Sequence, residues 1–562
     1  MNTTFIKSND LLLGSPLFTK RDDAQRAEQQ GQHVAWSQGI SEKGRAFLSD
    51  VTGDFAVGIN LPGDGVFLAV DRFAIRSLCY REVEGRLLFA ERADALADDS
   101  TEIDPQAIFD YLFAHAIPSP RTIFKGIYRL PPAHCAIFEN GKLSVKPYWA
   151  AHFEENAPAS FGDLRAEFRK LLADAVAKEV AGYAPEKIGC FLSGGTDSST
   201  VSGMVGQVTG KPAETYSIGF EADGYDEMEF ARIAARHFRT NHHEYYVTPD
   251  DLVSSIPDVA AYYDQPFGNS SALPAYYCAR IAKENGIEKM LAGDGGDELF
   301  GGNSRYAKQR VFDLYGYLPQ VVRSGLMEPL FEQGILGSLP IGRKAKSYIE
   351  QAKVPMPDRA HMYNLLLRLG VTEVLTADFL RQVDPESVAR QQREVWQQAD
   401  AKAAINQTLA FEWRYTLAES DLPKVCGTTN LAGVAVGFPM LDQQLVDFSA
   451  KLPPDYKLKG LKLRWFFKEA LRGFLPDEIL TKKKQGFGLP FGVWMTSHVK
   501  LRELAVDSLQ SLAGRGIVKR DFINDLLSTR LMEHPGYYGE MVWILMMLEQ
   551  WLQAHRPTYR LA

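Results

Sequence analysis

The sequence has few cysteines, no long apolar run and no strongly basic segment. Its five cysteines are odd in number and far apart, and no Cys-x-x-Cys pair occurs. This pattern argues against a disulfide framework or a zinc site and fits a reducing cytoplasm. No stretch approaches the roughly 18 apolar residues of a membrane helix, and the first residues lack the pattern of a signal peptide. We therefore expect a cytoplasmic protein with no membrane partner.

Positive charge is also scarce. The net charge is −8 over 562 residues, and the short cluster Lys482-Lys483-Lys484 is too small for a nucleic-acid track. Both features disfavour a nucleic-acid partner. A chain of this length should contain two or more domains with large cores.

The first 150 residues contain short apolar segments that alternate with turns. This pattern predicts an antiparallel sheet domain with a few helices over residues 1–150. A linker that contains Pro158 follows. The apolar segments lie at residues 55–59, 66–70, 86–90 and 134–138.

From residue 160 onward, strand and helix patterns alternate. Apolar strand patterns begin at Ile188, Glu214, His243 and Glu288, and helical patterns separate them. Such alternation predicts βαβ units and a parallel sheet, with ligands bound beyond the carboxyl ends of the strands. The predicted fold is therefore α/β: the antiparallel domain plus a parallel-sheet domain with many helices over residues 160–562.

One loop carries the clearest chemistry. The strand pattern at residues 188–192 leads into Ser-Gly-Gly-Thr-Asp-Ser-Ser at residues 193–199, where a helical pattern begins. The glycines leave backbone N–H groups open to an anion, and the hydroxyls add donors. A strand, a Gly/Ser turn and a helix N-terminus together predict a phosphate site. The loop resembles the pyrophosphate loop of ATP pyrophosphatases; the alternative is a turn that only caps the helix.

Other segments supply what an ATP-cleaving ligase needs. Such an enzyme requires acids for Mg²⁺, a cation near the leaving pyrophosphate and a closable pocket. Asp197 and Asp297 are an acid pair, and Lys484 precedes the glycine-rich QGFGLP segment. Residues 293–302 hold five glycines and three acids, a composition that suits a ligand rim better than a core.

Read together, these motifs resemble those of the asparagine synthetase family. LSGGTDSS at residue 192, AGDGGDELFGG at 292 and KQGFGLP at 484 are similar to its pyrophosphate loop, its acidic loop and its catalytic-lysine loop. DRFAIRSLCY at residue 71 and IPSPRTIFKGIYRLPPAH at 117 extend the resemblance to the N-terminal domain. The resemblance therefore covers nearly the whole chain.

The resemblance implies roles for the matching residues. Asp197 and Asp297 would bind Mg²⁺, Asp294 would lie beside the reacting centre, and Lys484 would stabilise charge on pyrophosphate and on the tetrahedral intermediate. Each has a plainer alternative: a loop turn for Asp297, a solvated residue for Asp294 and a surface lysine for Lys484. We expect Lys482 and Lys483 to face solvent. The residues implied to bind ATP are, for adenine and ribose, Leu192, Ile218, Ala292 and Gly293 and, for the phosphates, Ser193, Gly194, Gly195, Thr196 and Ser198.

The sequence departs from the family in two places. Glutamine-dependent members begin Met-Cys, whereas Asn2 follows Met1 here, and the glutamine-holding segment has no match. We therefore expect a glutaminase-like (Ntn-type) domain without glutaminase activity. Over residues 424–442, four charged family positions become uncharged, which puts free aspartate in doubt as the substrate. The replacements are Cys426, Gly427, Ala435 and Gly437.

The sequence thus predicts an AMP-forming ligase that uses ATP and Mg²⁺. A small-molecule or peptide carboxylate would be adenylated, and ammonia or an amine would then form the amide. One alternative closes a ring within one molecule, as β-lactam synthetases and lasso-peptide cyclases do in natural-product biosynthesis. Another is a noncatalytic scaffold that keeps ATP binding. A homodimer is left open.

Overall fold

The structure is a computed structural model that describes residues 8–155, 160–222, 224–316, 340–482 and 488–561, with the single residues 319, 321 and 323. Within these ranges, no helix combines the length and apolar character that a membrane span requires.

The N-terminal part contains an antiparallel sheet of five strands in the order β1-β4-β5-β9-β10, and a smaller sheet in the order β7-β6-β8. The antiparallel architecture expected for residues 1–150 is confirmed. Its elements are β1 (Leu11–Gly14), β2 (Leu17–Phe18), α1 (Arg21–Gln30), α2 (Gln32–Lys43), β3 (Val51–Thr52), β4 (Phe55–Asn60), β5 (Val66–Val70), β6 (Cys79–Val83), β7 (Arg86–Ala90), α3 (Pro105–Ala114), β8 (Ile127–Arg129), β9 (His134–Glu139) and β10 (Lys142–Pro147).

Strand β5 is buried on both faces. Phe67 packs with Trp36 of α2 on one face, and Leu68 packs with Phe89 of the small sheet on the other. Successive side chains of a strand point to opposite faces, so a strand covered on both sides needs apolar residues throughout. This explains why residues 66–70 form an uninterrupted apolar run.

The second part is built on a parallel sheet in the order β13-β12-β11-β14-β15. The chain runs outward from β11 to β13 and then returns to β14 on the other side of β11, so the strand order reverses between β11 and β14. The predicted parallel sheet is confirmed. Its elements are α4 (Phe161–Val180), β11 (Ile188–Phe191), α5 (Thr196–Thr209), β12 (Glu214–Phe220), α6 (Met228–Phe238), β13 (Asn241–Val247), α7 (Pro249–Tyr262), α8 (Ala272–Glu284), β14 (Lys289–Leu291), α9 (Gly296–Phe300) and β15 (Ala435–Gly437).

Helices make up most of the remaining chain, as the sequence predicts. The short strands Leu458–Lys459 and Lys462–Leu463 form a hairpin, and Trp413–Asp421 is a π-helix. The α-helices are Ser304–Gly316, Pro340–Lys353, Asp358–His361, Leu365–Leu369, Val371–Val374, Ala377–Leu380, Ser387–Gln398, Ala404–Glu412, Leu422–Ala432, Gln443–Lys451, Pro454–Lys457, Trp465–Ala470, Asp477–Thr481, Phe491–Ser497, Val499–Ala513, Arg520–Asp525, Leu531–Glu533 and Pro535–His555.

The C-terminal helix Pro535–His555 connects the two parts. It is buried continuously from Met541 to Leu552. Tyr111 of α3 donates a hydrogen bond of 2.8 Å to the carbonyl oxygen of Ile544, and both residues belong to one hydrophobic core. Helix α3 belongs to the first 150 residues and yet packs among C-terminal helices. The boundary between residues 150 and 160 that the sequence predicts therefore stays a prediction.

Candidate functional site

A cavity of about 1190 Å³ opens where the strand order reverses. The loops that follow β11 and β14 meet there. A Cβ atom on Gly293 would lie only 2.7 Å from the backbone nitrogen of Ser198, so glycine allows this close approach to the start of α5. Ligands of open α/β sheets bind at such reversals, beyond the carboxyl ends of the strands.

The loop after β11 has the geometry of an anion site. The backbone N–H of Ser193 donates to the Ser198 hydroxyl at 3.2 Å, and the two hydroxyl oxygens lie 3.0 Å apart. Of the residues implied to bind phosphates, Ser193, Gly195, Thr196 and Ser198 line the cavity. Gly194 does not line the cavity. Its φ is +69°, and a Cβ atom there would collide with α6, so glycine is needed to form the turn.

The side of the cavity formed by β12 and α8 is mainly apolar. Leu192, Ile218 and Gly293 line the cavity as the resemblance implies. Ala292 does not reach it, because it is buried and its N–H donates to the carbonyl of Gly437 at 3.0 Å. The further lining residues here are Phe191, Tyr216, Pro274, Ala275 and Cys278.

Arg464 lies between the two carboxylates implied to bind Mg²⁺. Its two terminal nitrogens donate to the two carboxylate oxygens of Asp197, each at 2.6 Å, and it also pairs with Asp297. Its side chain is almost fully buried, and its backbone φ is +54°. The sequence contains no local signal for this contact, because Arg464 lies 267 positions from Asp197.

The donor set fits a magnesium ion only together with a nucleotide. No group of three or more acidic, histidine or cysteine side chains in the described part of the chain could hold a metal ion alone. Mg²⁺ is, however, commonly bound by one or two carboxylates plus substrate phosphates. Asp197 and Asp297 converge on one cation beside the phosphate loop, which suits that shared mode.

Further basic side chains line the cavity. Lys482 lines it, with its Nζ 3.1 Å from Glu227 and 4.4 Å from the centre of the Phe230 ring. Its side chain is only 9% exposed, so the expectation that Lys482 faces solvent is wrong. Lys468 also lines the cavity. Lys483 and Lys484 lie outside the described residues, so the exposure of the first and the role of the second stay predictions.

A further group of charged residues that line the cavity consists of Asp294, Asp421 and Lys424. The Nζ of Lys424 lies 3.0 Å from Asp421 and 3.7 Å from Asp294. Burial raises the pKa of Asp294 to about 6, although Lys424 opposes this shift. Asp421 ends the π-helix, a rare conformation that often marks functional sites. Sequence reasoning missed Asp421 and Lys424.

The four positions at which this chain lacks the family's charged residues lie in two separate places. Cys426 and Gly427 line a separate cavity of about 210 Å³ between the N-terminal part and the helices. Ala435 and Gly437 belong to β15, and a Cβ on Gly437 would collide with Glu179. None of the four lines the main cavity, so their loss says little about its occupant.

Comparison with known families gives two matches. The model described as asparagine synthase matches residues 167–553, and the model described as glutamine amidotransferase domain matches residues 36–149.

Three relatives illustrate the similarity. Asparagine synthetase [glutamine-hydrolyzing] 1 of Bacillus subtilis is 25% identical over 90% of this chain and 78% of its own length. A putative asparagine synthetase of Mycobacterium bovis is 25% identical over 76% of this chain, which spans 66% of that relative. Amidase chyE of Penicillium rubens is 24% identical over 84% of this chain and 75% of its own length. Among solved structures, glutamine phosphoribosylpyrophosphate amidotransferase of B. subtilis aligns with 51% of this chain and 63% of that chain, at 13% identity and a TM-score of 0.17.

Proposed function

The chain belongs to the asparagine synthase family, and we propose that it adenylates a carboxylate with ATP and joins the acyl group to ammonia or an amine. At the family level the chain is a ligase that forms carbon–nitrogen bonds. The observation that carries the finer proposal is the phosphate loop at the start of α5, which shares one cavity with Asp197 and Asp297.

The first half-reaction would take place at the phosphate loop. A carboxylate oxygen attacks the α-phosphorus of ATP, the bond to the bridging oxygen breaks, and pyrophosphate leaves in line. The hydroxyls of Ser193 and Ser198 and the helix N-terminus would hold the phosphates. Asp197 and Asp297 would hold Mg²⁺, which supplies charge neutralisation for the leaving group. Arg464 keeps both carboxylates close together, and its charge opposes the rise that burial causes in the pKa of Asp197.

The second half-reaction would form the amide. The lone pair of ammonia or of an amine attacks the acyl carbon, the nitrogen loses a proton, and the acyl–oxygen bond breaks with release of AMP. Asp294 and Lys424 line the same cavity, and we place the entry of this nucleophile beside them. Lys484 is proposed from the sequence alone to meet the developing oxyanion.

We further propose that the nitrogen does not come from glutamine hydrolysed by this chain. Cys79 and Cys135 are the two cysteines of residues 1–150, and both are buried in the described structure. Burial raises the pKa of both thiols, which disfavours the reactive thiolate. The N-terminal part would then retain the amidotransferase fold without its chemistry.

The size of the cavity supports a large acid substrate. Pockets for single small ligands typically measure about 300–1,000 Å³, and this cavity exceeds that range at about 1190 Å³. It therefore has room for a nucleotide and a sizeable carboxylate together. The same space would admit the substrate of a second candidate, a cyclase that joins an acid and an amine of one natural-product precursor.

The test is a screen for ATP cleavage over small-molecule and peptide carboxylates, with and without amines. We expect AMP and pyrophosphate to appear with a matching acid and an amide to form when the amine is added. The Asp197→Asn variant is the control for contaminating activity. Release of ADP and phosphate instead would overturn the proposal. Tight ATP binding without AMP formation from any acid would favour a noncatalytic scaffold.

A further inference from the structure

One part of the cavity contains more acidic than basic side chains. Three acids line it and one lies directly behind, whereas only two basic side chains accompany them. We call this group the acid basin; it comprises Asp294, Glu298, Glu412, Asp421, Arg305 and Lys424.

Both basic side chains of the acid basin are engaged. Lys424 contacts Asp421 at 3.0 Å and Asp294 at 3.7 Å, and Arg305 contacts Glu412 at 3.0 Å. Elsewhere in the cavity, Asp197 and Asp297 share Arg464, and Lys482 pairs with Glu227. The acid basin itself contains more acidic than basic side chains.

Glu298 is the acid of the basin that forms no ion pair with either of the two basic side chains. It lines the cavity, and the residue is only 6% exposed. Within the described ranges, no other residue donates a hydrogen bond to its carboxylate or forms an ion pair with it. The charged groups that act on it most strongly, Asp421 and Glu412, are acids as well. The carboxyl group of Glu298 therefore faces the cavity without a cationic partner among the described residues, and a bound cation would supply one.

The backbone around Glu298 is held in place. The indole N–H of Trp413 donates to the carbonyl oxygen of Glu298 at 2.9 Å, which ties α9 to the first residue of the π-helix. Asp421 is the last residue of that π-helix. The two acids are thus presented to the cavity by elements that are fixed to each other.

A metal ion does not suit the acid basin. The acids are not among any group of metal-ligating side chains that converges within the described part of the molecule. A primary ammonium group is larger than a bare metal ion and offers three separate N–H donors, which suits carboxylates spread over a wall.

We propose that the acid basin binds the amine substrate as its ammonium ion and that one N–H proton then passes to a carboxylate of the basin, which frees the nitrogen lone pair for the attack. The amine would then be a cationic primary amine rather than an amino acid, because a neighbouring carboxylate would be repelled by the same acids. This inference rests on the proposed function, since it assigns the nucleophile's binding site in the same cavity. It adds Glu298 as a residue that determines specificity.

The test measures binding of butylammonium chloride to the full chain by calorimetry, with 1-pentanol as the neutral probe of similar shape. We expect butylammonium to bind and 1-pentanol to bind much more weakly. Glu298→Gln keeps the shape but removes the charge, and it should weaken butylammonium binding at least tenfold, which corresponds to about 1.4 kcal/mol. Asp421→Asn should act in the same direction. Glu469→Gln is the matched control, because Glu469 lines the same cavity but pairs with Arg472 at 2.8 Å.

Equal binding of the charged and neutral probes would overturn the inference, as would unchanged affinity in Glu298→Gln. If MgCl₂ displaces butylammonium, and Glu298→Gln weakens Mg²⁺ binding by the same factor, the acid basin is a metal site. That result would also overturn the inference. ATP affinity measured on each variant checks that the fold is intact. If the probes do not bind as expected but the unaltered chain forms AMP, this inference fails and the proposed function stands. If the unaltered chain forms no AMP, that result counts only against the proposed function.

Discussion

The N-terminal antiparallel part and the parallel-sheet part place their polar side chains differently. In the first, β5 is covered on both faces by apolar residues, and Cys79 and Cys135 are buried. In the second, hydroxyls and carboxylates gather at the ends of β11 and β14. Parallel strands point their carboxyl ends to one edge, whereas antiparallel strands distribute theirs over two. The parallel sheet therefore concentrates its loop residues in one site.

The largest effect should follow from removing a carboxylate at the end of the parallel sheet. Asp197→Asn and Asp297→Asn should each abolish AMP formation, because each removes an anionic ligand for Mg²⁺ and weakens the contact with Arg464. The measurement is AMP release at saturating Mg²⁺. Asp22→Asn, an exposed acid in α1 of the N-terminal part, should behave like the unaltered chain. Normal turnover of both site variants would mean that the metal residues are misassigned.

Lys484 should give the next largest effect. Removing one preorganised donor to a developing oxyanion typically lowers the rate by about 10²–10³. We expect Lys484→Ala to lose at least about a hundredfold in pyrophosphate release, with ATP affinity changed much less, and Lys484→Arg to recover little. Lys500→Ala serves as the control because Lys500 is exposed. A similar small loss in both alanine variants would contradict a catalytic role.

A smaller, pH-dependent effect should appear where the segment between the two parts meets the helices. Lys457 is fully buried, donates to Asn406 at 2.7 Å and lies 4.7 Å from the Phe153 ring centre. Burial lowers its pKa to about 7. The unfolded chain therefore binds one more proton between pH 7 and the ordinary lysine value, and stability should rise with pH across that window, by at most about 1.4 kcal/mol per pH unit.

Melting temperatures from pH 7 to 9 test this expectation. The advantage of the unaltered chain over Lys457→Met should grow as pH rises, because methionine does not titrate. Lys170→Met, at an exposed position in α4, should show no such trend. A constant difference between the unaltered chain and Lys457→Met would show that the buried lysine stays protonated throughout.

The smallest effect should follow from changes to the N-terminal cysteines. Cys79→Ala and Cys135→Ala should leave AMP formation within about twofold of the unaltered chain, since buried thiols away from the cavity take no part in it. Glutamine should yield no glutamate with any of these proteins. Glutamate release that disappears in one cysteine variant would remove the contrast between the two parts.

Several features could be predicted from local sequence because their physical signals are local. The apolar run 66–70 coincides with β5, and the helix that follows Ser160 begins at Phe161, with the Ser160 hydroxyl accepting from the Asp163 N–H at 3.1 Å. The phosphate loop was recognisable because strand, glycine turn and helix start are consecutive. Strand β15 escaped prediction because it has only three residues, two of them small, and its pairing with β14 spans a long sequence separation.

The sequence by itself determined the fold class and the family and predicted a phosphate loop at residues 193–199, because each depends on neighbouring residues or on motifs in a set order. Only the tertiary structure decided which charges meet. It brought Arg464 to Asp197 and Asp297, turned Lys482 inward against Glu227, and left Glu298 without a partner among the described residues. Ion pairing depends on distance in space and on burial, and neither can be read from positions hundreds of residues apart along the chain.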